Sequence, residues 1–214
     1  TMDKQQPLAI SISLLLGSGG MYIGQQLAKR LNILYLDREI TSQAAKKFML
    51  LEEDLENFDE KVNFLWTTFI QRLITNKPYV YAPPAPQIPS ARLLFDTEAA
   101  IIRRMAKEQS AVFVGRCATQ ILRDHPRHVS IFLHSDLEFR IKRVQQLFNL
   151  TEEEARKQIR ETDVARAEHY LQFTGYNMTE ATGYDLAINT GRLGLDESVE
   201  FILKYIQLKF GITA

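Results

Sequence analysis

The apolar positions of this chain change period several times, and each change marks an element. Leu8 to Leu16 is apolar throughout apart from Ser11 and Ser13. Such a run, ending in glycines, predicts a strand buried on both faces. Gly17-Ser18-Gly19-Gly20 follows, and then Ile23, Leu27, Ala28 and Leu31 recur at helical spacing, predicting a helix over about 21–31. Asn32 marks a turn, and Ile33-Leu34-Tyr35-Leu36 predicts a second strand ending at Asp37. Residues 39–50 and 54–76 read as helices, with Glu52, Glu53 and Asp54 on a solvated stretch between them. Prolines 78, 83, 84, 86 and 89 exclude helix there and predict a long loop.

Helical spacing returns from Ala91 to Glu108, where Leu94, Phe95, Ala99, Ile102 and Met105 share a face. Ala111 to Val114 predicts a buried strand running into Gly115-Arg116, residues 118–124 a short helix, and Val129 to Leu133 another strand. Ser135 with Glu138 and Thr151 with Glu154 have capping-box spacing, so helices should start after each and end near Asn149 and Tyr170. Phe173 to Gly183 reads as a loop, Tyr184 to Asn189 as a last strand and Leu195 to Phe210 as a last amphipathic helix. Short, mostly apolar strands alternating with helices predict an α/β fold around a mostly parallel sheet covered on both faces. Ligands of such folds bind at the carboxyl ends of the strands. Gly17–Gly20, Asp37, Arg116 and the helix after Ser135 all follow strand ends, so they are expected to converge.

Composition narrows the function classes. The 214 residues carry 26 basic and 26 acidic side chains. That balance argues against nucleic-acid binding by bulk charge. The single cysteine, Cys117, and four scattered histidines give no metal-ligand spacing, and one cysteine fits a reducing compartment. No apolar run approaches the roughly 20 residues of a membrane span. Residues 1–7 are polar and unlike a signal, and Thr1 before Met2 reads as an expression scar. The expectation is one cytoplasmic domain without a membrane or nucleic-acid partner. The aromatic-rich helix 54–76 is a candidate surface for a homo-oligomer, although its Trp66 reads first as core.

The chemistry centres on the glycine turn. A strand, a glycine-rich turn and a helix start present unpaired N–H groups and the positive end of a helix dipole to an anion. Against G-x-x-x-x-G-K-[ST], Gly19 takes the second glycine, but Leu14, Gly20 and Met21 stand where the first glycine, the lysine and the Ser/Thr belong. Against G-x-G-x-x-G, Gly17 and Gly19 fit, Tyr22 replaces the third glycine, and Asp37 lies at the ribose-binding distance. A tight turn without a ligand is the bland alternative. Arginines form the second constellation: Arg140 and Arg143, then Arg156 and Arg160, with Asp163 and Arg166 on nearly the same face as Arg160. Arginine suits phosphate held bidentately and charge spread during phosphoryl transfer. Ordinary surface pairs such as Glu152–Arg156 are the competing reading.

Several segments in order resemble the cytidylate-kinase-like family of P-loop proteins. They are Ile12-Ser13 with Gly17-Ser18-Gly19-Gly20 and Ile23-Gly24; Leu36-Asp37-Arg38-Glu39-Ile40; Val112 to Arg116; Ile131 to Leu133 with Arg140 and Arg143; Asp163, Arg166 and Tyr170; and Tyr184 to Gly194. The resemblance implies a P-loop NTPase-like three-layer fold: a parallel five-stranded sheet, a monophosphate-binding insertion over about 39–90 and a helical lid over about 135–180. It implies ATP phosphates on Gly17, Ser18, Gly19 and Gly20, and an acceptor monophosphate at Asp37, Arg116 and Arg92. Arg143, Arg160 and Arg166 would stabilise the transferring group, with Asp163 orienting them or the acceptor ribose. Family members usually carry Ser-Arg-Glu-Tyr before the glycines and Gly-Gly-Arg-Glu within the turn. Here those positions read Ser13-Leu14-Leu15-Leu16 and Gly19-Gly20-Met21-Tyr22. Two functions are therefore in competition. One is ATP- and Mg²⁺-dependent phosphoryl transfer to a nucleoside monophosphate, CMP-like, or a related small acceptor, with no identifiable protein ligand for the ion. The other is a kinase-fold nucleotide-binding or interaction module with impaired catalysis.

Overall fold

The computed structural model describes residues 6–37, Thr41 and 91–212. The expected helices 39–50 and 54–76, Trp66 and the proline loop lie outside the described residues. The sheet is parallel throughout. Its strands are β1 (Ala9–Leu14), β2 (Leu34–Leu36), β3 (Ala111–Val114), β4 (His128–His134) and β5 (Leu186–Asn189), in spatial order β2-β3-β1-β4-β5. Central β1 pairs Ile12 with Val114 on one side and with Ile131 on the other.

Helices cover both faces. They are α1 (Gly20–Leu31), α2 (Ala91–Glu108), α3 (Ala118–Ile121), α4 (Leu137–Phe148), α5 (Glu152–Thr174), α6 (Thr190–Leu193) and α7 (Leu195–Phe210). Ile10, Ile12 and Leu14 point to one face and pack with Ile23 and Leu27 of α1 and Val199, Ile202 and Ile206 of α7. Each such side chain contributes roughly 1.5–3 kcal/mol on full burial. On the other face Ala9, Leu36 and Phe113 pack with Ile101, Ile102 and Met105 of α2.

The two serines interrupting β1 share that second face. Ser11 hydrogen-bonds His128 Nε2 at 2.7 Å and Thr119 at 3.0 Å, and Ser13 meets the same threonine at 3.2 Å. Burial outweighs the neighbouring Asp185 and pushes the His128 imidazole down to about 4, so it is neutral at pH 7. The polar breaks in the run are thus satisfied inside the fold.

Helix ends follow their local chemistry with two shifts. Thr151 and Glu154 close the expected capping box, but α5 continues past Tyr170 to Thr174, where Gly175 (φ 76°) takes the Leu171 carbonyl. The N-cap position of the helix after β4 is Asp136, not Ser135, and the Asp136 side chain makes no capping bond. Ser135 is buried one residue earlier, where its Oγ fills the space a side chain at Gly191 would need.

Candidate functional site

The turn after β1 is held by two left-handed glycines, Gly17 (φ 85°) and Gly19 (φ 83°). A Cβ at Gly17 would stand 2.7 Å from the Arg140 carbonyl oxygen, and one at Gly19 would collide with the Leu195 side chain. Ser18 is fully buried; its hydroxyl and its N–H both donate to the Leu15 carbonyl, at 2.7 and 3.1 Å. Thr190 donates to the Ser18 carbonyl at 2.8 Å. The Ile23 N–H then closes the first turn of α1 on Gly19, which supplies no side-chain cap. Among the described residues, no acceptor takes the N–H of Gly17, Gly19, Gly20 or Met21. Three of these are buried glycines, where an unpaired N–H is costly until an acceptor arrives.

Leu14, Leu15 and Leu16 enter three different apolar clusters. Leu14 belongs to the main core with Ile12 and Ile23. Leu15 packs with Phe95, Cys117, Tyr170 and Met178 between α2 and α5. Leu16 joins Ile141, Val144, Ala155 and Ile159 between α4 and α5. The three leucines therefore tie the turn to the main core, to α2 with α5, and to the α4–α5 hairpin respectively. Leu14 and Gly20 are also sterically linked, since a Cβ at Gly20 would lie 2.7 Å from Leu14 Cδ1. A large residue at the first motif position thus accompanies the loss of a side chain at the lysine position.

The hairpin's polar groups grip the same turn. Asp163 accepts the Leu16 N–H at 2.8 Å and pairs with Arg140 at 2.5 Å, while Arg140 also donates to the Leu16 carbonyl at 3.2 Å. Arg166 donates to the Leu14 carbonyl at 3.3 Å. Arg143 is half-buried on α4, and its field acts on the Tyr22 hydroxyl at the first turn of α1. That hydroxyl donates to Asp196 at 2.6 Å, which holds its proton more tightly than usual. Arg160 is exposed on α5, one turn before Asp163. The structure thus brings Asp163, Arg166 and Arg143 to the glycine turn.

Across the sheet edge, β3 ends in another left-handed turn, with Gly115 at φ 78°, Arg116 at 53° and Cys117 at 56°. Arg116 pairs at 3.4 Å with Glu98, a carboxylate only 1% exposed in the middle of α2. Burial pushes the Cys117 thiol up to about 12, so it is protonated at neutral pH despite Arg116 beside it. Asp37 follows β2, and its carbonyl accepts the Thr41 N–H and hydroxyl at 3.1 and 2.9 Å. Arg92 lies on the exposed side of α2, paired with Asp96 at 3.0 Å and over the Phe95 ring at 5.9 Å. Residue spacing did not single out Glu98, yet its signal was present: it falls in the apolar stripe of α2 between Phe95 and Ile102.

For a metal, the donor set is poor. Met21 stands where a Ser/Thr ligand belongs, Ser18 donates to Leu15, and no cluster of three His, Cys, Asp or Glu side chains occurs among the described residues. No described helix is long and apolar enough to cross a membrane.

Comparison with known proteins follows the same lines. A protein from Eubacterium ventriosum ATCC 27560, solved by crystallography, superposes with a TM-score of 0.70 at 23% identity, covering 94% of this chain and 98% of that one. Shikimate kinase from Bacteroides thetaiotaomicron superposes at 0.51 and 14% identity, over 94% and 98% of the two chains. These likenesses establish the fold, an α/β architecture of the P-loop NTPase type. The cytidylate kinase of Pyrobaculum neutrophilum is 30% identical over 107 residues, which is 50% of this chain and 58% of that enzyme. The chain thus spans little more than half the length of the curated relatives it matches. The cytidylate kinase-like family profile matches residues 9–192, from the first strand to the turn after β5, and the chain belongs to that family.

Proposed function

We propose that the chain transfers the terminal phosphoryl group of ATP to a nucleoside monophosphate, CMP-like, at the junction of the glycine turn and the α4–α5 hairpin. The observation that carries this reading is the set of N–H groups at Gly17, Gly19, Gly20 and Met21, none taken by an acceptor among the described residues. They stand at a helix N-terminus, where dipole and donors favour phosphate oxygens. Residues 39–90 serve as the monophosphate-binding insertion and 135–180 as the lid. Arg143 and Arg166 meet the charge that develops on the transferring group, Arg160 reaches it from the exposed side of α5 on closure, and Asp163 holds the turn through Arg140 and the Leu16 N–H. Arg116, with Asp37 and Arg92, receives the acceptor. Lid closure excludes water, and the chemistry is positioning and charge stabilisation. The described residues do not fit a protein-held Mg²⁺, and in this reading the ion is held by the nucleotide's own phosphates and water.

A coupled ADP-release assay over a panel of monophosphates with Mg²⁺-ATP tests the reading. An acceptor that stimulates turnover is expected, and Arg143→Ala or Arg166→Ala should lower kcat by about 10²–10³-fold with smaller effects on binding. Stimulation by no acceptor would sink it.

One observation favours the second reading, a nucleotide-binding or interaction module. The Asp163 carboxylate already occupies the Leu16 N–H, and position 20 carries no cation. That reading predicts ATP binding by calorimetry with no turnover, and tighter ATP binding in Asp163→Asn.

A further inference from the structure

A carboxylate 1% exposed on the apolar stripe of a helix needs a reason to stay ionised there. Isolated, it would take up a proton or destabilise the fold. Glu98 has one in Arg116, whose side chain is 14% exposed and whose Nε lies 3.4 Å from Glu98 Oε1. The partner is held in an unusual way. Arg116 is the middle of three successive left-handed residues, and neither it nor Cys117 is a glycine. Each non-glycine residue in that region carries a conformational cost, and such strain persists only where its surroundings impose it. Glu98 also acts on Cys117, where its field raises the thiol pKa against the opposing field of Arg116. Its helix anchors Glu98 well: Phe95, Ala99, Ile102 and Met105 are buried on either side of it.

We infer that Glu98 is a positioning residue, fixing the Arg116 guanidinium at the end of β3 so that this arginine meets the phosphate of the acceptor in one orientation. The inference rests on Arg116 as the acceptor contact. Because the pair carries no net charge, recognition there depends on the direction of the N–H donors more than on bulk attraction. Glu98 itself touches no substrate. Its loss acts on acceptor affinity and leaves the N–H groups of the glycine turn, which follows the neighbouring strand β1, unaffected.

The test titrates the intact chain with inorganic phosphate and follows the Nε–H resonance of Arg116 by NMR. In the wild type this resonance should shift and saturate. In Glu98→Gln, which keeps the shape and removes the charge, phosphate affinity at Arg116 should fall at least about tenfold. Glu98→Asp keeps the charge on a stem one methylene shorter; it should give an intermediate loss and serves where the glutamine variant does not fold. In turnover, Glu98→Gln should raise the acceptor KM about tenfold while kcat and the ATP KM change less than about threefold. A purely structural glutamate would instead lower the melting temperature and leave phosphate affinity as it was. Wild-type affinity in both variants, or an Arg116 resonance blind to phosphate in the wild type, overturns the inference. A wild type whose Arg116 responds to phosphate but which phosphorylates no acceptor overturns the kinase reading and leaves the positioning role standing.

Discussion

The turns after β1 and β3 lie on neighbouring strands, and both put backbone in the left-handed region, yet they use it differently. After β1 the left-handed residues are Gly17 and Gly19, closely packed by Arg140 and Leu195, and no acceptor among the described residues takes the N–H groups of Gly17, Gly19, Gly20 and Met21. After β3 two of the three are Arg116 and Cys117, and a cation–carboxylate pair braces them. The first turn needs glycine because backbone and side chains approach too closely for a Cβ, and a phosphate needs that approach too. The second needs a side chain at a strained position, and the ion pair with Glu98 supplies the restraint. One turn presents backbone; the other presents a guanidinium.

The contrast can be broken from either side. Arg116→Ala should have the largest effect, about 3 kcal/mol in a urea melt, because it leaves Glu98 buried without its cation. Arg116→Ala combined with Glu98→Ala should recover part of that loss. Gly17→Ala should lower stability by about 2–3 kcal/mol, the sum of a positive φ and a Cβ set against the Arg140 carbonyl. His128, on the polar face of the sheet that carries both turns, supplies a pH-dependent term. Its folded pKa of about 4 lies below the ordinary 6.5, so the unfolded chain binds the proton first as pH falls. Stability from this group is therefore full above about pH 6.5 and declines down to about pH 4, a loss of about 3 kcal/mol. His128→Gln should flatten that part of a melting-temperature profile.

A double-mutant cycle sharpens the steric link in the first turn. Gly20→Lys alone should clash with Leu14, and pairing it with Leu14→Ala should show a favourable coupling of about 1 kcal/mol. The smallest effect belongs to Gly115→Ala, about 1 kcal/mol. Its φ of 78° is equally left-handed, but apart from its chain neighbours no atom of the described residues lies within 4 Å of an added Cβ. If Gly115→Ala cost as much as Gly17→Ala, close packing would not be what distinguishes the two turns.

Much of the architecture was legible in the chain because it rests on local pattern. The strand–glycine–helix passage at Leu14 to Ile23 specifies itself through periodicity and through residues that can adopt positive φ. The Thr151 capping box likewise needs only four neighbours in sequence. The same logic misplaced the cap before α4, because Ser135 and Asp136 both have capping chemistry. Burial of Ser135 against Gly191, 56 residues away, left Asp136 at the N-cap position without a side-chain bond.

The sequence by itself determined the α/β alternation, the parallel sheet, the glycine turn and the arginine-bearing hairpin, since each depends on spacing along one segment. Tertiary structure decided how these parts meet. Only in three dimensions do Leu14, Leu15 and Leu16 enter three separate apolar clusters, and only there does Asp163 reach the Leu16 N–H. The same holds for Glu98 and Arg116, 18 positions apart, where an apparent fault in an apolar stripe is half of an ion pair. Burial and pairing belong to surfaces that come together only on folding, so the worth of a charge inside a helix is set by what lies across from it.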